Sequence, residues 1–205
     1  MNVAGKAADG SAKSWASPEP VKVFVDTNVL FPFSVMDLML ALTEDSVHTV
    51  VWSERLLMEW ERVIVREERR SKESARAVTR AIRRFFADCE IGESAYVHLL
   101  DGIPGRDPDD RHHTAAALAA GADTLVTWNL ADFPAAPLAQ RGLHVVDPDT
   151  YLCDLYGRWP DEVTETVVRL AEEKRNPPMT FAVAVDRLAK AGVTRFADTV
   201  RVNLR

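Results

Sequence analysis

Short β-branched runs that alternate with helix-length stretches constrain this chain more than any other feature. Val21-Lys22-Val23-Phe24-Val25, Val47 to Trp52, Thr124 to Thr127 and Leu143 to Val146 each read as a strand. Between them lie helical patterns. Asp37 to Leu42 reads as part of a short helix. Ser53 is placed to cap a long helix in which Leu56, Leu57, Trp60, Val63 and Ile64 recur at helical spacing. A more polar helical stretch runs from Ser74 to Asp88. Asp107-Pro108-Asp109-Asp110 opens another that continues through Ala120 and stops at Gly121. Strands that alternate with helices join in parallel through crossover connections, so the expected class is α/β with a mainly parallel sheet.

Three regions follow from the texture of the chain. Residues 1–20, rich in Ala, Gly, Ser, Lys and Pro, are expected to form a flexible leader. Residues 21–157 hold the strand and helix alternation. Residues 158–205 change to short amphipathic helices and are expected to form a helical extension on the core rather than a separate domain. One helix is expected over Glu162 to Lys174, broken by Asn176-Pro177-Pro178. Thr180 is expected to cap the next, which ends at Gly192, and Thr194 the last.

Charge enters because it bears on partners. With 31 Asp+Glu against 25 Lys+Arg the net charge is -6, which argues against coating nucleic acid through a global basic field. The excess is uneven, however. From Arg62 to Arg84 nine basic residues face three acids, a local +6. Arg76, Arg80 and Arg83 or Arg84 fall at helical spacing and form a candidate stripe along an RNA backbone. A solvated helix face, or a dock for an acidic protein segment, are the other readings of that stripe. Cys89 and Cys153 have no metal-ligand or CxxC spacing, and no run approaches the ~18 apolar residues of a membrane span, so the expected setting is the cytoplasm. There is no GxSxG, HExxH, Walker A or GxGxxG motif, which leaves hydrolase triads, zinc proteases and nucleotide-binding enzymes without support. The five tryptophans are scattered, and packing in the core or at its rim is the expectation for most.

Acids and amides recur where an α/β sheet collects ligands, at the carboxyl ends of strands. Asp26-Thr27-Asn28 follows the first strand. Glu59 lies on the long helix, Asp107 and Asp110 start the helix before the third strand, and Asn129 and Asp132 follow that strand. Oxygen ligands of this kind suit a hard cation such as Mg²⁺ or Mn²⁺ and the hydrolysis of phosphodiesters. Each piece also has a plain reading: Asp26 and Asn28 as turn residues, Asp107 as an N-cap with Asp110 in the first helical turn, Asn129 and Asp132 as turn formers. Periodicity does not choose between Glu59 and Glu61, which flank the apolar stripe on opposite sides.

Taken in order, Val23-Phe24-Val25-Asp26-Thr27-Asn28-Val29-Leu30, then Leu57-Met58-Glu59-Trp60-Glu61-Arg62-Val63, then Asp107-Pro108-Asp109-Asp110-Arg111-His112 with Gly121-Ala122-Asp123, Leu125-Val126-Thr127 and Asn129-Leu130-Ala131-Asp132-Phe133, resemble a PIN domain. The resemblance spans Val21 to Pro148 and favours the VapC-like toxins of bacterial toxin–antitoxin pairs. It implies a PIN-like α/β/α sandwich and a metal-dependent endoribonuclease leaving a phosphate on one product and a hydroxyl on the other. It also implies Asp26, Glu59 and Asp110 as ligands of Mg²⁺ or Mn²⁺, and Asp107 as an acid near the site. Asn129 stands where many members carry a fourth acid, with Asp132 able to supply the missing charge or to fix the loop. Thr27, Asn28 and Thr127 match positions that orient ligands, water or phosphate. RNA, an antitoxin protein and a second copy of the chain are the implied partners. His112 and His113 are expected to take a surface or packing role rather than to form a two-His site, with one facing the substrate phosphate as the other reading. The alternatives are a non-catalytic RNA-binding module with the same fold, and a housekeeping RNA- or DNA-processing nuclease.

Overall fold

The structure is a computed structural model that describes residues 20–104 and 110–203. The expected leader and Asp107 therefore lie outside the described residues, apart from Pro20. Four strands form one sheet: β1 (Val21–Val25), β2 (His48–Val51), β3 (Thr124–Val126) and β4 (His144–Val146), in the order β2-β1-β3-β4. Every pairing is parallel, with Phe24 opposite both Val51 and Leu125. Phe24, Val25, Leu125 and Val126 have no exposed surface, as expected of a parallel sheet covered on both faces.

Register assigns the faces. His48 lies opposite Val21, and so on the same face as Val23 and Val25. Its buried ring bonds the Met39 carbonyl of α2 (Phe33–Glu44) at 2.8 Å and the Tyr151 hydroxyl of α8 (Pro148–Arg158) at 2.7 Å, which puts these helices over that face. Phe24 points the other way and meets His113 of α6 (Arg111–Ala119) edge-on at 5.7 Å. Beside the sheet, α1 (Thr27–Leu30) packs against α3 (Glu54–Arg66), where the Trp60 indole donates to the Leu30 carbonyl at 3.0 Å. The Ser53 side chain accepts from the Leu56 amide, the cap its position calls for. Next come α4 (Lys72–Phe85) and α5 (Glu93–Tyr96), and α7 (Ala135–Ala139) precedes β4.

Beyond α8 the extension is α9 (Pro160–Glu173), α10 (Phe181–Lys190) and α11 (Thr194–Asn203). It is not a loose appendage. Val163, Val185, Val193, Phe196 and Val200 are fully buried in a cluster continuous with the sheet's core. A Phe side chain buried as Phe196 is contributes roughly 1.5–3 kcal/mol. Arg169 of α9 bonds Asp45 at 3.0 Å and Lys174 pairs with Asp37 at 2.8 Å, both at the α2 side. Cys89 and Cys153 are free. No helix among the described residues is long and apolar enough to cross a membrane.

Several elements differ from the sequence reading. Asp26-Thr27-Asn28 does not end in a turn but runs straight into α1, because burial of Val29 and Leu30 rewards a helical turn there. Helix α2 begins four residues earlier than Asp37, behind Pro32, whose fixed φ suits a helix start. Ser71 caps α4 by accepting from the Ser74 amide, so that helix starts ahead of Ser74. Thr194 does not cap α11. The Asp149 carboxylate of α8 does so from a distance, accepting from the Arg195 amide at 3.1 Å and the Phe196 amide at 2.9 Å.

Candidate active site

The Asp26 amide donates to the Val126 carbonyl at 2.9 Å, which extends the sheet one residue past β1 and holds Asp26 at its carboxyl edge. The residue is 5% exposed. One carboxylate oxygen, Oδ2, is held from two sides, by the Thr127 hydroxyl at 2.7 Å and the Asn28 amide at 2.6 Å. Thr127 is fully buried, and its oxygen also accepts from the Asn28 side chain at 3.1 Å and the Asn129 amide at 2.9 Å. The side-chain Oδ1 of Asn28 accepts from the Trp128 backbone amide at 3.1 Å. These bonds lock the ends of β1 and β3 to one another. Oδ1 of Asp26 makes no hydrogen bond among the described residues.

Glu59, half-buried on α3, bonds the Nε2 of His113 at 2.9 Å. Burial pushes the Glu59 carboxyl up, but the bonded imidazole, then the nearby Thr27 hydroxyl and Arg62, outweigh it and leave the carboxyl below its ordinary range. For His113, which is 1% exposed, burial acts against protonation. The Glu59 bond and the charges of Asp26, Glu59 and Asp110 overcome it, and its pKa is raised. Three acids drawn from three separate segments thus act on one buried ring. His113 sits one helical turn past Asp110, the spacing that brings side chains to the same face. Asp110 itself directly precedes α6, half-buried, and its side chain makes no capping hydrogen bond to that helix. The buried Thr27 hydroxyl and the Nδ1 of His113 have no hydrogen-bond partner among the described residues.

The geometry separates Glu59 from Glu61, which periodicity left equivalent. Glu61 pairs with Arg76 at 3.1 Å and accepts from Thr79 at 3.3 Å, tying α3 to α4. Only Glu59 turns to His113. Asn129 donates through its side-chain amide to Asp132, so Asp132 is tied into the loop that follows β3. The basic stripe is largely spoken for: Arg83 makes a two-pronged pair with Glu54 at 2.7 and 2.8 Å, Arg76 holds Glu61, and Arg84 lies over the Phe85 ring at 5.4 Å. Arg80 is exposed. Of the surface and packing roles expected for the two histidines the structure shows packing, since both are buried, and it adds the bond from His113 to Glu59.

The donors fit a hard cation by their chemistry, since they are carboxylates and Asp26 keeps one oxygen without a hydrogen bond. They are not preassembled: among the described residues no group of three or more His, Cys, Asp or Glu stands ready to hold an ion.

The sequence matches the family model of a PIN domain over residues 22–131, and that of a VapC50 C-terminal domain over residues 148–202. The second match takes in α8 together with the extension. No curated protein and no solved structure matches the chain.

Proposed function

Because the chain belongs to the PIN domain family, we propose that it is a metal-dependent endoribonuclease that hydrolyses RNA phosphodiester bonds and serves as the toxin of a toxin–antitoxin pair. The observation that carries this reading is the Asp26 carboxylate held at the sheet's carboxyl edge by Thr127 and Asn28, together with Glu59 bonded to the buried His113 one helical turn past Asp110. Asp26, Glu59 and Asp110 would hold Mg²⁺ or Mn²⁺, with Asn129 contributing a polar group nearby and Asp107, which lies outside the described residues, implied by the family resemblance as a further acid. A divalent ion there supplies a Lewis acid for the phosphate and lowers the pKa of an attacking water.

The chain's own residues prepare for this. Thr127 and Asn28 occupy one Asp26 oxygen and so aim the other. His113, whose pKa the neighbouring acids raise against the effect of burial, holds Glu59 against α6. In this reading residues 21–157 are the nuclease unit and residues 158–205 its support. RNA is the substrate, a cognate antitoxin and a second copy of the chain are the protein partners, and the cytoplasm is the working compartment.

Asn129 in place of an acid, together with the engagement of Glu59 by His113, favours a second reading, a PIN-fold module that binds RNA without cutting it. Expression in a bacterial host, followed by incubation of the purified protein with RNA, tests the two. The nuclease reading expects growth arrest and RNA shortened with Mg²⁺ or Mn²⁺ but not with EDTA. RNA held equally well in EDTA and never shortened would overturn it in favour of the module.

A further inference from the structure

Among the described tryptophans, Trp52 and Trp60 are 2% and 1% exposed and belong to the core, whereas Trp128 is 36% exposed. It follows Thr127 directly, and the two side chains part company at the strand end. Thr127 turns to Asp26, and Trp128 turns to the extension. There the benzo edge of the indole rests on Gly192, between α10 and α11. A Cβ at that position would stand 3.0 Å from the Cη2 of Trp128, and the backbone has φ +106, which only glycine adopts readily. The Trp128 amide is bonded to Asn28, so the backbone on which the indole stands is part of the Asp26 network. The indole N–H makes no hydrogen bond among the described residues. Leu130, two residues on, is 45% exposed.

An aromatic side chain left accessible beside a carboxylate site, with its backbone locked and its far edge propped by a glycine, is built to present a surface. We infer that Trp128 stacks on a nucleobase of the RNA strand next to the phosphate that the ion at the Asp26 site would hold, and that the extension positions it through Gly192. The inference rests on the RNA reading above. Stacking suits the task because every base has a π-face, so an indole grips single-stranded RNA whatever its sequence. The ion that Asp26 and its neighbours would hold addresses the phosphate on one side of the strand end, and Trp128 addresses the base on the other.

The test uses the full chain carrying Asp26→Asn, so that binding is read without cutting, and a single-stranded oligoribonucleotide in two forms, with bases and with abasic riboses. Trp128→Ala is expected to weaken binding of the base-bearing form by about 5- to 100-fold and to leave the abasic form unaffected. Trp128→Phe is expected to recover much of the affinity while removing the part of the tryptophan fluorescence that RNA quenches. Far-UV circular dichroism and a thermal melt confirm that the variants are folded. Equal binding of the base-bearing form by Trp128→Ala and its parent would overturn the inference. So would an equal loss for both forms, which marks a purely structural role. A parent that binds and is quenched through Trp128, yet whose Asp26 form cuts no RNA with Mg²⁺ or Mn²⁺, would sink the nuclease reading while leaving the stacking role standing.

Discussion

Replacing Thr127 by Val tests the network that aims Asp26. Valine keeps the shape of the side chain and removes only the hydroxyl. The lost interactions are a 2.7 Å bond donated to the Asp26 carboxylate and two accepted from the Asn28 side chain and the Asn129 amide. A hydrogen bond to a charged group contributes about 1.5–3 kcal/mol. Asn129 is exposed and its freed amide can turn to water, so little is added on its account. The expected cost is therefore about 2 kcal/mol, which for a chain of this length lowers Tm by about 4–8 °C. Thr127→Ser keeps the hydroxyl and loses a methyl group, and is expected to cost no more than about 1 kcal/mol. Urea melts of the three proteins give the comparison. A Val variant within about 0.5 kcal/mol of the parent, or a Ser variant as damaged as the Val one, would show that the hydroxyl does not hold the site together.

Two further outcomes are expected from other parts of the fold. His48 is held neutral, with a pKa lowered to about 4, chiefly by burial and against the pull of the Met39 carbonyl. The unfolded chain takes up that proton below about pH 6.5 and the folded chain resists it, so this stability is complete above that pH. It is lost as pH falls toward 4, by roughly 3 kcal/mol in all. Urea midpoints at about pH 7 and about pH 5 should therefore converge in His48→Gln relative to the parent, and parallel slopes would contradict the assignment. Gly192→Ala places a Cβ against Trp128 on a backbone of φ +106, and thermal melts should report a loss of about 1–3 kcal/mol. A neutral outcome would mean that the turn relaxes freely away from the indole.

Local signals carried the sheet and most helices of the core. The β-branched runs mark all four strands, Ser53 marks α3, and Thr180 caps α10 by accepting from the Val183 amide. The start of α8 was equally legible but overlooked, since Asp147 precedes Pro148 and accepts from the Thr150 amide at 2.9 Å. What escaped the reading is nonlocal. The cap on α11 comes from Asp149, more than forty positions away by the difference of residue numbers, and Glu59 meets His113 across 54 positions. The arginine stripe looked unpaired because its partners, Glu54 and Glu61, lie on a different helix. The place of Asp26 at the carboxyl edge of the sheet is legible from the strand it follows, whereas the different partners of Glu59 and Glu61 depend on the contacts of α3 with α6 and α4.

Asp26, Glu59 and Asp110 are proposed to serve one metal-dependent RNA-cutting site, and Glu61 to tie α3 to α4. The most direct measurement is the rate of RNA cleavage as Mn²⁺ is titrated into the parent and into Asp26→Asn, Glu59→Gln, Asp110→Asn and Glu61→Gln. The account predicts that cleavage requires the ion, that the first three variants lose at least about the hundredfold reached by changes around a metal site, and that Glu61→Gln cuts like the parent. Cleavage that persists in EDTA, or a Glu59→Gln protein that cuts as fast as Glu61→Gln, would contradict it.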